Sequence, residues 1–127
     1  MTTIRTAGFT SVALALTLTA AGCASPSPSA APQAAPLPDD AVVSDVRTAE
    51  EYTEGHLDSA VLLDVSNGDL EAALADLDPA VPYFVHCRSG SRSAVAVAMM
   101  RDAGFADVTD LGSLEQASEA TGLPVER

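Results

Sequence analysis

Short apolar runs alternate with helical patterns throughout residues 39–127, and this alternation restricts the possible folds more than any other feature. Four runs rich in Val, Leu and Ala predict strands, at residues 41–46, 60–63, 82–86 and 108–111. Helix-start signals and apolar residues at helical spacing predict helices, at residues 48–55, 69–77, 93–103 and 114–120. Strands that alternate with helices favour an α/β domain with a mainly parallel sheet and helices on both faces.

The loop after the third predicted strand holds the residues with reactive chemistry. Ligands of parallel sheets bind beyond the carboxyl ends of the strands, where such loops lie. This loop joins a strand to a helix and reads His86-Cys87-Arg88-Ser89-Gly90-Ser91-Arg92-Ser93. Free backbone N–H groups and the positive end of the helix dipole stabilise an anion at a helix start. The same field lowers a cysteine's pKa, so we predict that Cys87 is a nucleophilic thiolate.

The other residues of the loop fit an anion site. Gly90 and the serines beside it allow the backbone amides to point inward, and Arg88 and Arg92 supply charge that can pair with an oxyanion. The alternative for Cys87 is a buried cysteine that acts as a small apolar residue. We interpret His86 as the last strand residue with an ordinary side-chain partner, although it could act as a base. Arg101 is interpreted as a surface charge.

Acidic residues dominate the charge of the chain. Six Lys+Arg against 18 Asp+Glu give a net charge of −12, and every one of the six cations is an arginine. A chain of this charge repels nucleic acid and anionic lipid head groups, which excludes both as electrostatic partners. The two cysteines and two histidines are dispersed along the chain, so no metal site is predicted.

The N-terminal residues have the pattern of an export signal. Arg5 precedes an apolar run that is too short for a convincing membrane span, and small residues then lead to Cys23. The segment Ala20-Ala21-Gly22-Cys23 resembles the lipobox of bacterial lipoproteins, in which the cysteine is lipidated. We therefore predict a signal peptide at 1–22 and an extracytoplasmic protein, periplasmic or on the cell surface, that is anchored to the membrane through Cys23. An ordinary signal peptide is the alternative.

Residues 23–38 are predicted to be a tether between the lipid anchor and the domain. They consist mainly of Ala, Pro and Ser and show no hydrophobic periodicity. Because proline fixes φ and lacks a backbone donor, a core-forming element is not expected there. The tether would hold the domain, predicted at 39–127, away from the membrane.

Three motifs, in the right order, resemble the rhodanese-like sulfurtransferases. The letters CRSGSRS at 87–93 resemble the active-site loop of that family. Upstream, D-V-R at 45–47, E-Y at 51–52 and G-H-L at 55–57, followed by Ala60, resemble the family signature D-V-R-x-x-x-E-Y-x-x-G-H-I-x-x-A. Downstream, G-F at 104–105, Val108 and G-L-P-V at 122–125 fit its closing segment. The resemblance covers nearly the whole predicted domain and implies a small rhodanese-like fold.

This resemblance implies persulfide chemistry at Cys87. Its thiolate would attack the sulfane sulfur of a small anionic donor such as thiosulfate, and cyanide or a thiol would then accept that sulfur. The two half-reactions predict ping-pong kinetics, and no cofactor is expected. The loop residues would hold the persulfide, with Arg88 and Arg92 steering and holding the anionic donor; the full loop is Arg88, Ser89, Gly90, Ser91, Arg92 and Ser93.

Four residues of the upstream signature are interpreted as framework that supports the loop. They are Asp45, Arg47, Glu51 and His56. A cluster of opposite charges near a buried strand end is more often structural than catalytic.

Two other functions stay open. Cysteine-dependent phosphatases and arsenate reductases also use a loop that ends in Arg-Ser, but their loop is one residue longer. The chain also departs from the rhodanese pattern. Leu62 replaces the usual Asn, and the usual Gly-Gly and Trp align with Ser113-Leu114 and Ser118. Because that last segment borders the site in relatives, a non-catalytic or weakly active sulfane-sulfur carrier, sensor or binding module is the main alternative.

Overall fold

The structure is a computed structural model, and it describes residues 34–127 as alternating strands and helices. The elements in chain order are β1 (Val42–Asp45), α1 (Ala49–Glu54), β2 (His56–Leu57), β3 (Val61–Leu62), α2 (Asp69–Ala73), β4 (Tyr83–His86), α3 (Ser91–Asp102), β5 (Val108–Gly112), α4 (Leu114–Thr121) and β6 (Val125–Glu126). The predicted signal peptide and Cys23 lie outside the described residues.

The main sheet has four parallel strands in the order β3-β1-β4-β5. Its two inner strands, β1 and β4, carry buried residues at nearly every position, as expected for a sheet that is covered on both faces. Strands β2 and β6 form a separate antiparallel pair, in which Leu57 is the partner of Val125. The predicted α/β fold with a mainly parallel sheet is confirmed.

One face of the sheet packs against α2 and α3. Leu70 of α2 and Met100 of α3 are fully buried there, together with Val85 of β4 and Val46 beyond the end of β1. Cys87 belongs to the same cluster of buried residues. The Cys87 loop is therefore attached directly to the larger part of the hydrophobic core.

The opposite face packs against α1, α4 and the small antiparallel sheet. Leu57 of β2 and Ala117 of α4 are fully buried beside Val43 of β1. Leu37 also packs against this cluster, and the backbone N–H of Ala35 donates to the carbonyl of Ala120 at 3.2 Å. The end of the predicted 23–38 tether thus lies on the domain, because Leu37 buries apolar surface there, and only 23–33 lies outside the described residues.

Side-chain caps fix where two of the helices begin. The Thr48 hydroxyl accepts from the Glu51 N–H, and the Glu51 carboxylate accepts from the Thr48 N–H, which forms a capping box before α1. Ser113 and Gln116 form the same reciprocal pair before α4. The predicted starts of both helices are confirmed.

The structure differs from the sequence-based elements at three places. The helix predicted at 69–77 ends at Ala73 and continues as hydrogen-bonded turns, although Leu74 and Leu77 still pack against the core. The helix predicted from residue 93 begins at Ser91, because Gly90 adopts the left-handed conformation that precedes it. The pair of β2 and β6 was not predicted, since two-residue strands produce no alternation.

Within residues 34–127, no helix combines the length and the apolar content that crossing a bilayer requires.

We predict that Leu57→Ala strongly destabilises the domain. Leu57 is 0% exposed, and its truncation leaves a cavity where α4, β2 and the sheet meet. The free energy of unfolding should fall by about 2–5 kcal/mol, as measured by urea denaturation. Val61→Ala is the matched control, because Val61 is 45% exposed and its truncation should cost less than about 0.5 kcal/mol. Equal losses in the two variants would contradict this packing.

Candidate active site

The Cys87 loop is a tight turn between β4 and α3. Gly90 has φ of 94°, a conformation that side chains disfavour, and it directly precedes the first residue of α3. This conformation brings the Gly90 N–H to 3.0 Å from the Cys87 Sγ. The turn therefore directs a backbone donor at the sulfur.

Ser93 supplies a second polar contact to the sulfur. In the neutral thiol its hydroxyl accepts from the Cys87 Sγ at 3.7 Å and donates to the Gly90 carbonyl at 3.0 Å; when the thiol ionises, the hydroxyl can turn its hydrogen to the sulfur. Both Cys87 and Ser93 are fully buried, with Cys87 0% exposed. The free thiol thus lies at the floor of a closed, polar cradle.

Hydrogen bonding decides the ionisation of Cys87. Burial of the thiol raises its pKa, but hydrogen bonds from the Ser93 backbone and hydroxyl and from the backbones of Ser89 and Gly90 have the larger combined effect. The pKa of Cys87 is therefore lowered. A thiolate is the nucleophilic form of cysteine, so this cradle favours a reactive sulfur.

The end of β5 closes the loop from the other side. The Cys87 N–H donates to the Gly112 carbonyl at 2.9 Å, and the pairing of β4 with β5 shifts register at this point. A Cβ atom on Gly90 would lie 3.6 Å from the Gly112 Cα, and a Cβ on Gly112 would collide with the amide of Gln116. Glycine at 112 allows β5, the capping box of α4 and the cysteine loop to approach closely.

Arg92 holds the loop to α1 rather than facing it as a free cation. Its Nη1 and Nη2 donate to the two carboxylate oxygens of Glu51 at 2.7 and 2.9 Å. The sequence predicted that Arg88 and Arg92 both steer the donor, but the structure gives Arg92 an ion-pair partner that this prediction did not include. Arg88 is 76% exposed and lies 3.8 Å from the same carboxylate, so its guanidinium is the more accessible of the two.

Glu51 connects three features of the site through one carboxylate. It caps α1, binds Arg92 and lies near Arg88. Hydrogen bonding to Arg92 is the main reason that the pKa of Glu51 falls to about 2. Glu51 is thus ionised throughout the neutral range and compensates the positive charge of the loop.

Asp45 and Arg47 form a buried unit at the end of β1. The Arg47 Nε and Nη2 donate to the Asp45 carboxylate at 2.9 and 2.6 Å. The same Nη2 donates to the Gly55 carbonyl at 2.6 Å, which ties the end of α1 to the sheet. These contacts join β1 to the end of α1; the framework role of Asp45 and Arg47 stays a prediction.

His56 takes part in a contact between α1 and β2. Its Nδ1 lies 3.0 Å from the Tyr52 carbonyl, and its ring stacks on the Tyr52 ring with centroids 3.9 Å apart. The Tyr52 hydroxyl in turn donates to the Ala60 carbonyl at 2.8 Å. The structure therefore places His56 in a small scaffold around the start of β3.

The prediction of an ordinary partner for His86 is wrong. The side chain is fully buried, and neither ring nitrogen has a hydrogen-bond partner in the described part of the chain. Its Nε2 lies 3.8 Å from the Asp45 carboxylate, because the two residues are register partners on β1 and β4. Burial lowers the pKa of His86, which keeps the ring neutral. Side chains alternate along a strand, so His86 and Cys87 face opposite sides of the sheet.

Asp64 is a charged residue of the site that sequence reasoning missed. It follows β3, is buried, and accepts from the Ser66 N–H at 2.7 Å. The hydrogen bond to Glu51 is the main reason that the pKa of Arg92 is raised, and the charge of Asp64 makes a smaller contribution in the same direction. The sequence feature that could have identified Asp64 as a site residue is its position in a loop at the carboxyl edge of the sheet.

Residues 34–127 contain no group of three or more His, Cys, Asp or Glu side chains that could hold a metal ion.

We predict that Ser93→Ala raises the pKa of Cys87. The change removes the hydroxyl that stabilises the thiolate and leaves the backbone donors in place. The pH dependence of thiolate absorbance in the ultraviolet, with Cys87→Ser as the baseline, measures this pKa. Ser91→Ala is the matched control, because the Ser91 hydroxyl contacts Ser89 rather than the sulfur. An unchanged pKa in Ser93→Ala would contradict the proposed role of the hydroxyl.

We predict that Glu51→Gln destabilises the domain at neutral pH and makes its stability less sensitive to acid. The folded-state pKa of Glu51, about 2, lies below its ordinary value of 4.5. Its contribution is therefore present above pH 4.5 and is lost as the pH falls toward 2. Urea denaturation at neutral pH should show a loss of roughly 1–3 kcal/mol.

Glu50 is an exposed neighbour on the same helix, so Glu50→Gln is the matched control. It should change neither the stability at neutral pH nor its dependence on acid appreciably. If the stability of Glu51→Gln fell with pH as steeply as that of the parent chain, the contribution assigned to the ionised Glu51 carboxylate would be refuted.

Comparisons with known proteins agree with the fold. A family model described as the rhodanese-like domain matches residues 30–120. A rhodanese-like domain from an Anabaena sp. protein is 27% identical with a TM-score of 0.58, and the match covers 68% of this chain and 98% of that chain. A rhodanese-related protein from Thermoplasma volcanium is 28% identical with a TM-score of 0.57, covering 68% and 84%.

A structure described as rhodanese with anions, from E. coli, has the same fold at 23% identity, with a TM-score of 0.58 and coverage of 68% of this chain and 98% of that chain. Comparison with curated proteins finds no match. The family model spans well over half of the sequence and includes the Cys87 loop. The chain therefore belongs to the family of rhodanese-like domains.

Proposed function

We propose that the protein is a sulfurtransferase that carries a sulfane sulfur as a persulfide on Cys87. The observation that supports this most strongly is the polar cradle around Sγ, in which the Gly90 N–H and Ser93 lower the pKa of a buried thiol. Such an environment stabilises a sulfur anion, and a persulfide at neutral pH is also a sulfur anion. Membership of the rhodanese-like family supports the same reaction class.

The first half-reaction loads the cysteine. The Cys87 thiolate attacks the sulfane sulfur of a small anionic donor such as thiosulfate, a new S–S bond forms, and the donor's own S–S bond breaks. Its electron pair leaves with sulfite. Because Arg88 is exposed at the rim, its charge attracts the anionic donor.

The second half-reaction discharges the persulfide to cyanide or a thiol. The acceptor attacks the outer sulfur, and the electron pair of the broken S–S bond returns to the Cys87 Sγ. Because Cys87 has no exposed surface, donor and acceptor reach it by displacing rim residues of the loop, of which Arg88 and Ser89 are exposed.

The same burial supports a second candidate, a sulfane-sulfur carrier or binding module with slow turnover. If the rim opens rarely, the persulfide forms and discharges slowly. A cysteine-dependent phosphatase or arsenate reductase fits less well, because the short loop between Cys87 and Arg92 directs its donors at a single sulfur and Arg92 is bound to Glu51.

The sequence also supports export and lipidation of Cys23, followed by residence outside the cytoplasm on a membrane. In that setting the lipidated cysteine has no free thiol, and Cys87 is the reactive one. Release of Cys23→Ser protein from the membrane fraction would support this proposal, and continued retention would contradict it.

We predict that the full chain carrying Cys23→Ser gains the mass of one sulfur atom on incubation with thiosulfate. Cys87 is the only thiol in that variant. Intact mass spectrometry should show the gain, its removal by cyanide, and its absence when Cys87→Ser is added. Ser91→Ala, with an unchanged sulfur environment, is the matched loop variant and should still be loaded.

A mass gain that persists in Cys87→Ser would contradict the mechanism. If the persulfide forms but cyanide and thiols remove it only slowly, the carrier is favoured over the enzyme. If no sulfur is gained, hydrolysis of p-nitrophenyl phosphate and reduction of arsenate distinguish the remaining alternatives.

A further inference from the structure

Asp64 is a buried carboxylate at the same edge of the sheet as Cys87. Leu62 of β3, Asp45 of β1 and His86 of β4 are register partners across three neighbouring strands. Asp64 follows Leu62 by two residues, and Cys87 directly follows His86. Neighbouring strands lie about 4.8 Å apart, so a separation of two strands places the backbone of Asp64 about 10 Å from that of Cys87.

Asp64 has no cation of its own. The residue is only 5% exposed, and its carboxylate accepts from the Ser66 N–H at 2.7 Å. Within residues 34–127, no arginine or histidine lies at ion-pair distance from this carboxylate. Carboxylates are rarely buried in proteins without a partner of opposite charge. The position of this one, beside a site for anions, indicates a role in the chemistry of the site.

The charges around the sulfur leave a negative balance. Arg88 and Arg92 supply two positive charges, and Glu51 lies 3.8 Å from the first and binds the second. Asp64 also acts on Arg92, since its charge contributes to the raised pKa of that guanidinium. Together with the Cys87 thiolate, these groups carry three negative charges against two positive ones. A dianion is repelled by such a balance twice as strongly as a monoanion.

We propose that Asp64 determines donor specificity, so that the site prefers sulfane-sulfur donors with one negative charge over donors with two. Arg88, exposed at the rim, compensates one charge of the donor. A second charge meets Asp64 and finds Arg92 already bound to Glu51. Thiosulfate is then a usable donor, but a monoanion of similar shape is a better one. This inference rests on the proposed sulfurtransferase function and names the charge class of its donor.

The loading step balances for both kinds of donor. The Cys87 thiolate attacks the terminal sulfur and forms a new S–S bond with it. The bond between that sulfur and the sulfonyl sulfur breaks, and its electron pair leaves on the sulfonyl sulfur. Thiosulfate, a dianion, releases sulfite, and methanethiosulfonate, a monoanion, releases methanesulfinate. The two donors differ by a methyl group in place of one charged oxygen.

The first arm of the test compares loading by these two donors. The full chain carrying Cys23→Ser is incubated with each, and the rate of mass gain is measured at an ionic strength of about 10 mM, where screening is weak. Asp64→Asn removes the charge and keeps an oxygen that can accept from Ser66. It should raise the thiosulfate-to-methanethiosulfonate rate ratio roughly two- to tenfold, the effect of one charge at about 10 Å. The intrinsic reactivities of the donors cancel in this change.

Asp102→Asn is the matched control. It changes the net charge of the chain by the same amount, but Asp102 is exposed and ends α3, 12 residues from the start of that helix. At about 1.5 Å per residue, Asp102 lies more than about 15 Å from the loop, so the ratio should stay as in the parent chain. An unchanged ratio in Asp64→Asn, or an equal change in both variants, would overturn the proposal. A loss of both rates without a change in their ratio would show a structural role and also overturn it.

The second arm measures the same preference without sulfur transfer. Iodoacetate and iodoacetamide are similar in size and differ by one negative charge, and both alkylate the Cys87 thiolate. Asp64→Asn should raise the iodoacetate-to-iodoacetamide rate ratio roughly two- to tenfold, and Asp102→Asn should leave it unchanged.

The two arms separate the failure of this inference from the failure of the proposed function. If neither donor loads Cys87, the sulfurtransferase function fails, and with it the assignment of the preferred anion as a sulfur donor. The alkylation ratios then decide whether Asp64 sets the charge preference of the site, and an unchanged ratio in Asp64→Asn would overturn that as well.

Discussion

Hydrogen bonds to the Cys87 sulfur replace the water that burial removes, and the rest of the structure positions their donors. A buried thiol without such donors has a raised pKa and little nucleophilicity. Here the left-handed conformation of Gly90 aims a backbone N–H at Sγ, and Ser93 contributes its hydroxyl from the first turn of α3. Because the sulfur is fully enclosed, these few contacts determine its ionisation.

Two ion pairs hold the elements that shape this cradle. Arg92 ties the loop to α1 through Glu51, and Arg47 ties the end of β1 to the end of α1 through Asp45 and the Gly55 carbonyl. The helix between them is short and has a capping box that uses the same Glu51. Helix α1 therefore stabilises the position of the loop. Its residue Glu51 binds Arg92 and does not contact the sulfur.

The sequence predicted the strands, and it predicted a lowered pKa for Cys87, because both depend on local patterns. Apolar runs identify buried strands, and a cysteine before a Gly-rich helix start has an evident electrostatic consequence. The ion pair between Glu51 and Arg92 joins residues 41 positions apart, and the unpaired ring of His86 depends on its neighbour across β1. Such contacts arise from tertiary packing, and no local pattern specifies them. The two-residue strands β2 and β6 were missed because they are too short to show an alternation.

The central claim is that a cradle-stabilised thiolate at Cys87 attacks the donor sulfur, and the pH dependence of persulfide formation tests it most directly. The rate of mass gain with excess thiosulfate should follow one ionisation whose pKa lies below the ordinary cysteine value of about 8.5. Ser93→Ala should move that ionisation upward, because the thiolate loses the Ser93 hydroxyl. A rate that follows an ordinary or raised cysteine pKa, unaffected by Ser93→Ala, would contradict the account.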